Sequence, residues 1–190
     1  VDKEKRTGNR GPGRYSFGNA SSTGSTLHIP LFADYLLNTA GCKLQPLLCL
    51  IFEEERAHGP ICTGGGGDFV LGGVTENQRL HADLTVKKTC DVLLPPPMVS
   101  ANFAVQDITS QNGPMRIVPG SQLTRGELSE NDKWWKSWLY PIPAGAAIVR
   151  DVRTIHSGTR NLTQHTRYLP SIEFVSAKFL SLIHISEPTR

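Results

Sequence analysis

The sequence predicts a mainly β fold with flanking helices, an antiparallel barrel or jelly roll with helical packing on one side. Three observations predict it. Glycine and proline are abundant, 18 and 13 among 190 residues, with no collagen-like period, which favours turn-rich β structure over a helical bundle. Short apolar runs separated by turn residues fill the chain from Asp68 onward, as strands do. Two helical patterns precede those runs rather than alternating with them, which argues against a parallel α/β sheet.

Taken in order, residues 1–26 are charged and then rich in Gly, Ser, Asn and Thr, and read as an N-terminal arm or a lid ordered by ligand. Apolar residues at 31, 32, 35 and 36 have helical spacing and are followed by a stop at Asn38 to Gly41. Residues 44–56 suggest a second helix or buried segment. The run Gly64-Gly65-Gly66-Gly67 lacks the Lys-Ser/Thr of a phosphate loop and reads as a flexible loop. Strands are expected over 69–74, 80–86, 99–108, 115–118, 146–152 and 167–175. An aromatic cluster, Trp134, Trp135 and Trp138, interrupts them in a polar insertion and is expected to cap the barrel. Segments 10–26 and 130–140 are the expected lids.

Composition narrows the function. Twenty basic against 17 acidic residues leave a net charge of +3, too mild for a nucleic-acid surface. No apolar run approaches the roughly 18 residues needed to cross a bilayer, so neither nucleic acid nor membrane is an expected partner. Cys42, Cys49, Cys62 and Cys90 contain no CxxC pair, which disfavours a zinc knuckle and favours thiols in a reducing, intracellular compartment. The chain begins at Val1, and residues 180–190 resemble, residue for residue, a translated sequencing-library adapter. A fragment is expected, with 27–179 as the functional domain and 180–190 as an artefactual tail.

His81 and Asp83 lie two residues apart, and on a strand positions i and i+2 share a face. Alone, the pair also fits a surface hydrogen bond beside a turn. His156 follows the apolar run 144–151 and precedes a Ser-Gly turn, so in an antiparallel barrel it can face the interior beside His81 and Asp83. Two imidazoles and one carboxylate form the facial triad of non-haem Fe(II) oxygenases. Three coordination sites remain for O2 and a bidentate 2-oxo acid. Arg167 opens the last strand, with Leu169 and Ser171 on the same face. It reads either as an ordinary edge-strand arginine or as a buried fork for a carboxylate. The distal carboxylate of 2-oxoglutarate fits the second role, with Ser171 adding a hydroxyl. Arg150, Arg153 and Arg160 read first as solvated surface and second as contacts to an anionic substrate.

The segment from Met98 to Gln122 resembles the centre of phytanoyl-CoA dioxygenase-like proteins. In those, a strand ends in Asp-x-Thr-x-x-Asn-Gly-Pro, as at Asp107 to Pro114, and the next closes in Pro-Gly-Ser-His, here Pro119-Gly120-Ser121-Gln122. Arg14 to Gly18, the His81-x-Asp83 pair, Gly145, Arg150-Asp151, His156-x-Gly158 and Arg167 follow the family's order, so the resemblance covers about residues 14 to 176. It implies a double-stranded β-helix, cupin-like in topology, with Fe(II) on His81, Asp83 and His156 and 2-oxoglutarate on Arg167. Asn102 stands where apolar residues are frequent and is expected to touch the co-substrate. The intact Asp83 implies hydroxylation rather than halogenation. The expected reaction hydroxylates an unactivated C–H of a small-molecule substrate, releasing succinate and CO2, with ascorbate as a possible reductant. Two other readings stay open: a cupin-like metal or ligand-binding module without oxygenase activity, and a jelly-roll interaction domain.

Overall fold

The computed structural model describes residues 7–18, 44–53, 60–84, 95–124 and 128–177. Their strands are β1 (Thr7–Gly8), β2 (Gly11–Pro12), β3 (Arg14–Gly18), β4 (Ile61–Val70), β5 (Met98–Phe103), β6 (Met115–Ile117), β7 (Trp138–Tyr140), β8 (Ala147–Asp151), β9 (His156–Gly158) and β10 (Arg167–Val175). Helix α1 spans Leu44–Phe52 and helix α2 spans Glu130–Trp135. The expected helix at 31–38, the continuation of α1 over 54–56 and the tail 180–190 lie outside the described residues.

Two antiparallel sheets build the barrel, one in the order β3-β4-β10-β5-β8 and one in the order β7-β6-β9. A bridge between His81 and His156 lays one more residue alongside β9. Met115 and Ile117 from the smaller sheet pack on Leu169 from the larger one, joined by Tyr140 and Ile148. The chain is thus a double-stranded β-helix, as expected.

Alternation along each strand sorts the side chains. On β10, Arg167, Leu169, Ser171 and Glu173 face inward, while Ile172 and Phe174 face out. Helix α1 covers that outer face: Leu48 and Phe52, four residues apart, pack on Val99, Ala101, Ile172 and Phe174. Pro46 is tolerated because it sits in the first turn, where its missing N–H has no intrahelical partner anyway. Elsewhere on the outer face, Tyr15, Phe69 and Tyr168 are direct cross-strand partners. The Tyr15 and Phe69 rings stack at 4.8 Å and Tyr168 tilts onto Phe69 at 5.7 Å.

Five expectations are corrected. The run Gly64 to Gly67 is the centre of strand β4, not a loop. Its glycines allow close approach: a Cβ on Gly67 would lie 2.6 Å from the Leu169 carbonyl oxygen and the Pro170 Cα. Within the expected arm, residues 7–18 form β1–β3, and β3 is an edge strand of the larger sheet. The expected lid at 130–140 is helix α2, capped by the Ser129 hydroxyl accepting from the Asp132 N–H, followed by β7 in the smaller sheet. Its tryptophans do not cap the barrel. Trp135 and Trp138 are 83% and 68% exposed, and the Trp134 ring lies 4.2 Å from the Arg116 guanidinium. Finally, the expected strand at 80–86 is reduced to the His81 bridge followed by a bend, with 85–86 outside the described residues.

Candidate active site

The antiparallel bridge fixes the backbone of the two histidines, each N–H donating to the other's carbonyl at 2.9 and 2.8 Å. Asp83 is held next to them by its N–H donating to the Val152 carbonyl at 3.1 Å. The His81 and His156 Nε2 atoms lie 3.8 and 3.7 Å from the same Asp83 Oδ1. All three candidate ligand atoms fall within 4.8 Å of one another. The site is built across a sheet pairing, not from one strand.

Each ring is also oriented from behind. His81 Nδ1 lies 2.9 Å from the Arg79 carbonyl, and His156 Nδ1 lies 2.9 Å from the Thr154 carbonyl. A carbonyl can only accept, so each Nδ1 carries a proton, and Nε2 is the nitrogen that each ring turns toward Asp83. Burial, then the Arg150 charge, pushes the His156 pKa down to about 4 against the pull of Asp83. Its imidazole is therefore neutral near pH 7. Burial would raise the Asp83 carboxyl, but the Arg150 guanidinium holds it below the usual carboxylate range. Arg150 Nη2 donates to Asp83 Oδ2 at 2.6 Å, leaving Oδ1 toward the histidines. Two imidazole nitrogens and one ionised carboxylate oxygen fit one face of a divalent, imidazole-tolerant metal such as Fe(II).

The triad opens on a cavity of about 430 Å³. Arg167, Ser171 and Asn102 all line it, and Ser171 is the direct cross-strand partner of Asn102. All six predicted site residues thus face one space. Arg167 is 1% exposed and donates through Nη1 to Asp68 Oδ2 at 3.0 Å. Its Nε is buried without a hydrogen-bond partner among the described residues. The edge-strand reading of Arg167 is therefore corrected: β10 lies between β4 and β5. The solvated reading also fails for two other arginines. Arg150 lines the cavity, and Arg153 is buried against Asp151 through Nε and Nη2. Arg160 is exposed, as expected.

Several cavity residues were not anticipated. Asp68 directly follows the glycine run, where no preceding side chains mark the strand's alternation. Glu173 was within reach, because alternation from Arg167 through Ser171 continues to it. Burial, reinforced by the Asp83 charge, pushes its carboxyl up against the opposing Arg150. Gln78, Ser100 and Ser16 complete a mostly polar lining among the described residues.

The sequence of residues 70–169 matches the family model described as phytanoyl-CoA dioxygenase (PhyH). No curated protein matches the chain in sequence. Among solved structures, EctD from S. alaskensis with 2-oxoglutarate and 5-hydroxyectoine is similar at 16% identity and a TM-score of 0.61, covering 79% of this chain and 54% of that one. EvdO2 from Micromonospora carbonacea var. aurantiaca, complexed with 2-oxoglutarate, is similar at 16% identity and a TM-score of 0.56, covering 77% of this chain and 64% of that one. AviO1 from Streptomyces viridochromogenes Tue57 is similar at 17% identity and a TM-score of 0.57, over 74% and 64%. The chain thus spans less than two thirds of each of these proteins. At such identities the likeness is one of fold.

Proposed function

The chain belongs to the phytanoyl-CoA dioxygenase (PhyH) family, and from that premise we propose that it is a non-haem Fe(II)- and 2-oxoglutarate-dependent dioxygenase hydroxylating an unactivated C–H of a small organic substrate. One observation carries the proposal: the converging Nε2, Nε2 and Oδ1 atoms of His81, His156 and Asp83 open on the same cavity as the buried Arg167. Similar folds solved with 2-oxoglutarate, EctD and EvdO2, support the choice of co-substrate. When bound, Fe(II) supplies the redox centre at which O2 and 2-oxoglutarate are consumed, with succinate and CO2 released.

The protein's own contribution is orientation and charge. His81 and His156 present Nε2 atoms whose rings cannot rotate without losing the Arg79 and Thr154 carbonyls. Asp83 contributes the negative charge, and Arg150 keeps its other oxygen occupied. Arg167 receives the distal carboxylate of the co-substrate, with Ser171 and Asn102 as neutral donors beside it. Polar lining elsewhere suits a substrate with hydrogen-bonding groups.

A second reading, a cupin-like metal-binding module, has one observation in its favour: Asp68 already neutralises Arg167 without any co-substrate. The two readings part on 2-oxoglutarate. Purified protein given anaerobic Fe(II) and then 2-oxoglutarate should develop a visible charge-transfer band, and with O2 and ascorbate should form succinate. Absence of both, with metal still bound, selects the module. A His156→Ala variant that turns over undiminished would remove His156 from the ligand set.

A further inference from the structure

Arg14 lies outside the family-matched segment and has no part in the chemistry above, yet it is 4% exposed. Its Nη2 donates to two carbonyls, Glu76 at 2.6 Å and Thr159 at 2.7 Å. These belong to the two segments that carry the histidines. Residues 76–81 run antiparallel to 156–160: the Gln78 N–H donates to the Gly158 carbonyl and the Gly158 N–H to Gln78 Oε1, both at 2.9 Å. The Arg160 N–H donates to Asn77 Oδ1 at 2.9 Å, and the paired His81 and His156 close the row.

The arrangement is costly for a cation. Arg14 forms no ion pair among the described residues, and its Nη1 is buried without a partner. Burial, then repulsion from Arg167, weakens its hold on the proton, with Asp68 and Glu76 opposing. The packing is also close at residue 158, where any side chain would have to displace Gln78 or Arg14. A Cβ on Gly158 would stand 2.7 Å from Gln78 Oε1 and 3.0 Å from Arg14 Nη1. A buried guanidinium shared by two carbonyls 83 residues apart in sequence does one specific thing: it fixes how far apart the two segments sit.

We propose that Arg14 is a positioning residue for the metal site, clipping the His81-bearing segment onto the His156-bearing segment from strand β3. The inference rests on the reading of His81, Asp83 and His156 as metal ligands. It makes strand β3 a support of the site.

Co(II) titration of the metal-free full chain, followed by visible d–d absorption, tests it alongside thermal melts without metal. Arg14→Met is expected to weaken Co(II) binding by about 10-fold or more, the usual range for a lost outer partner of a metal site. Arg14→Lys, which can still donate to both carbonyls, should recover much of that loss. Leu48→Ala empties the distant core under α1; it should lower the melting temperature and leave Co(II) affinity unchanged. The proposal is overturned if Arg14→Met binds Co(II) like wild type, or if Leu48→Ala loses affinity in proportion to its melting temperature. It is also overturned if Arg14→Met raises half-saturation for 2-oxoglutarate alone, or if neither Arg14 variant folds, since Arg14 would then serve the co-substrate or the fold. Wild type that binds no Co(II), or His156→Ala with an unaltered spectrum, fails the ligand reading itself and the proposal with it.

Discussion

Asp68 and the co-substrate compete for one guanidinium, and that competition can be measured. Asp68→Ala leaves Arg167, 1% exposed, without its 3.0 Å counter-charge. Breaking a buried pair by removing one partner costs about 3–5 kcal/mol. Asp68 keeps 33% of its side chain in contact with solvent, so screening reduces the expected cost to about 2 kcal/mol. For a chain of this length that lowers the melting temperature by roughly 4–8 °C. Asp68→Asn, which keeps a hydrogen-bond acceptor but no charge, should fall between. With Co(II) present, 2-oxoglutarate should then stabilise Asp68→Ala more than it stabilises wild type, because its distal carboxylate replaces the missing one. At a hundredfold excess over Kd the gain is about 2.7 kcal/mol. Pyruvate, which has the same 2-oxo acid head but no distal carboxylate, should restore little. Thermal shift with each acid reads the result. Equal stabilisation by 2-oxoglutarate and pyruvate, or an Asp68→Ala variant melting like wild type, would refute the assignment of Arg167 to the distal carboxylate.

Three further outcomes are expected. The His156 pKa is held at about 4, below its ordinary 6.5. The stability this group contributes is therefore fully present above pH 6.5 and lost as pH falls through 4. At about 1.4 kcal/mol per pH unit, the loss approaches 3 kcal/mol; urea melts of metal-free wild type and His156→Asn should diverge less at pH 4 than at pH 7. Phe52→Ala, at the packed junction of α1 and the larger sheet, should cost about 3–5 kcal/mol in denaturant unfolding while leaving Co(II) affinity intact. Gly67→Val should prevent correct pairing of β4 with β10, because its Cβ meets backbone at 2.6 Å; the expected readout is insoluble protein or lost near-ultraviolet circular dichroism.

Much of the site was legible because alternation on a strand is a local property. Arg167, Ser171 and, by extension, Glu173 share a face for the same reason any i, i+2, i+4 set does. The Asn112-Gly113-Pro114 end of the family motif folds as a turn: Gly113 has φ of 90°, and the Asn112 side chain bonds the Thr109 N–H and the Asp107 carbonyl at 2.8 Å each. His81 and Asp83 converge as expected, though by a bridge and a bend rather than a regular strand. The glycine run misled because alternation is read from side chains, and glycine has none to report.

From the residues alone came the β-dominated fold class, the strands that became β5, β6, β8 and β10, and a two-histidine, one-carboxylate set with Arg167 as a candidate fork for a carboxylate. Those properties are written in spacing and side-chain type, which act over a few residues. The tertiary structure decided what neighbours meet. It set His156 against His81 across 75 positions, seated Asp68 on Arg167, and brought Arg14 from the edge strand to two distant carbonyls. Such contacts depend on sheet register and on the closure of the barrel, and their energy comes from the partner a residue finds, not from the residues beside it in the chain.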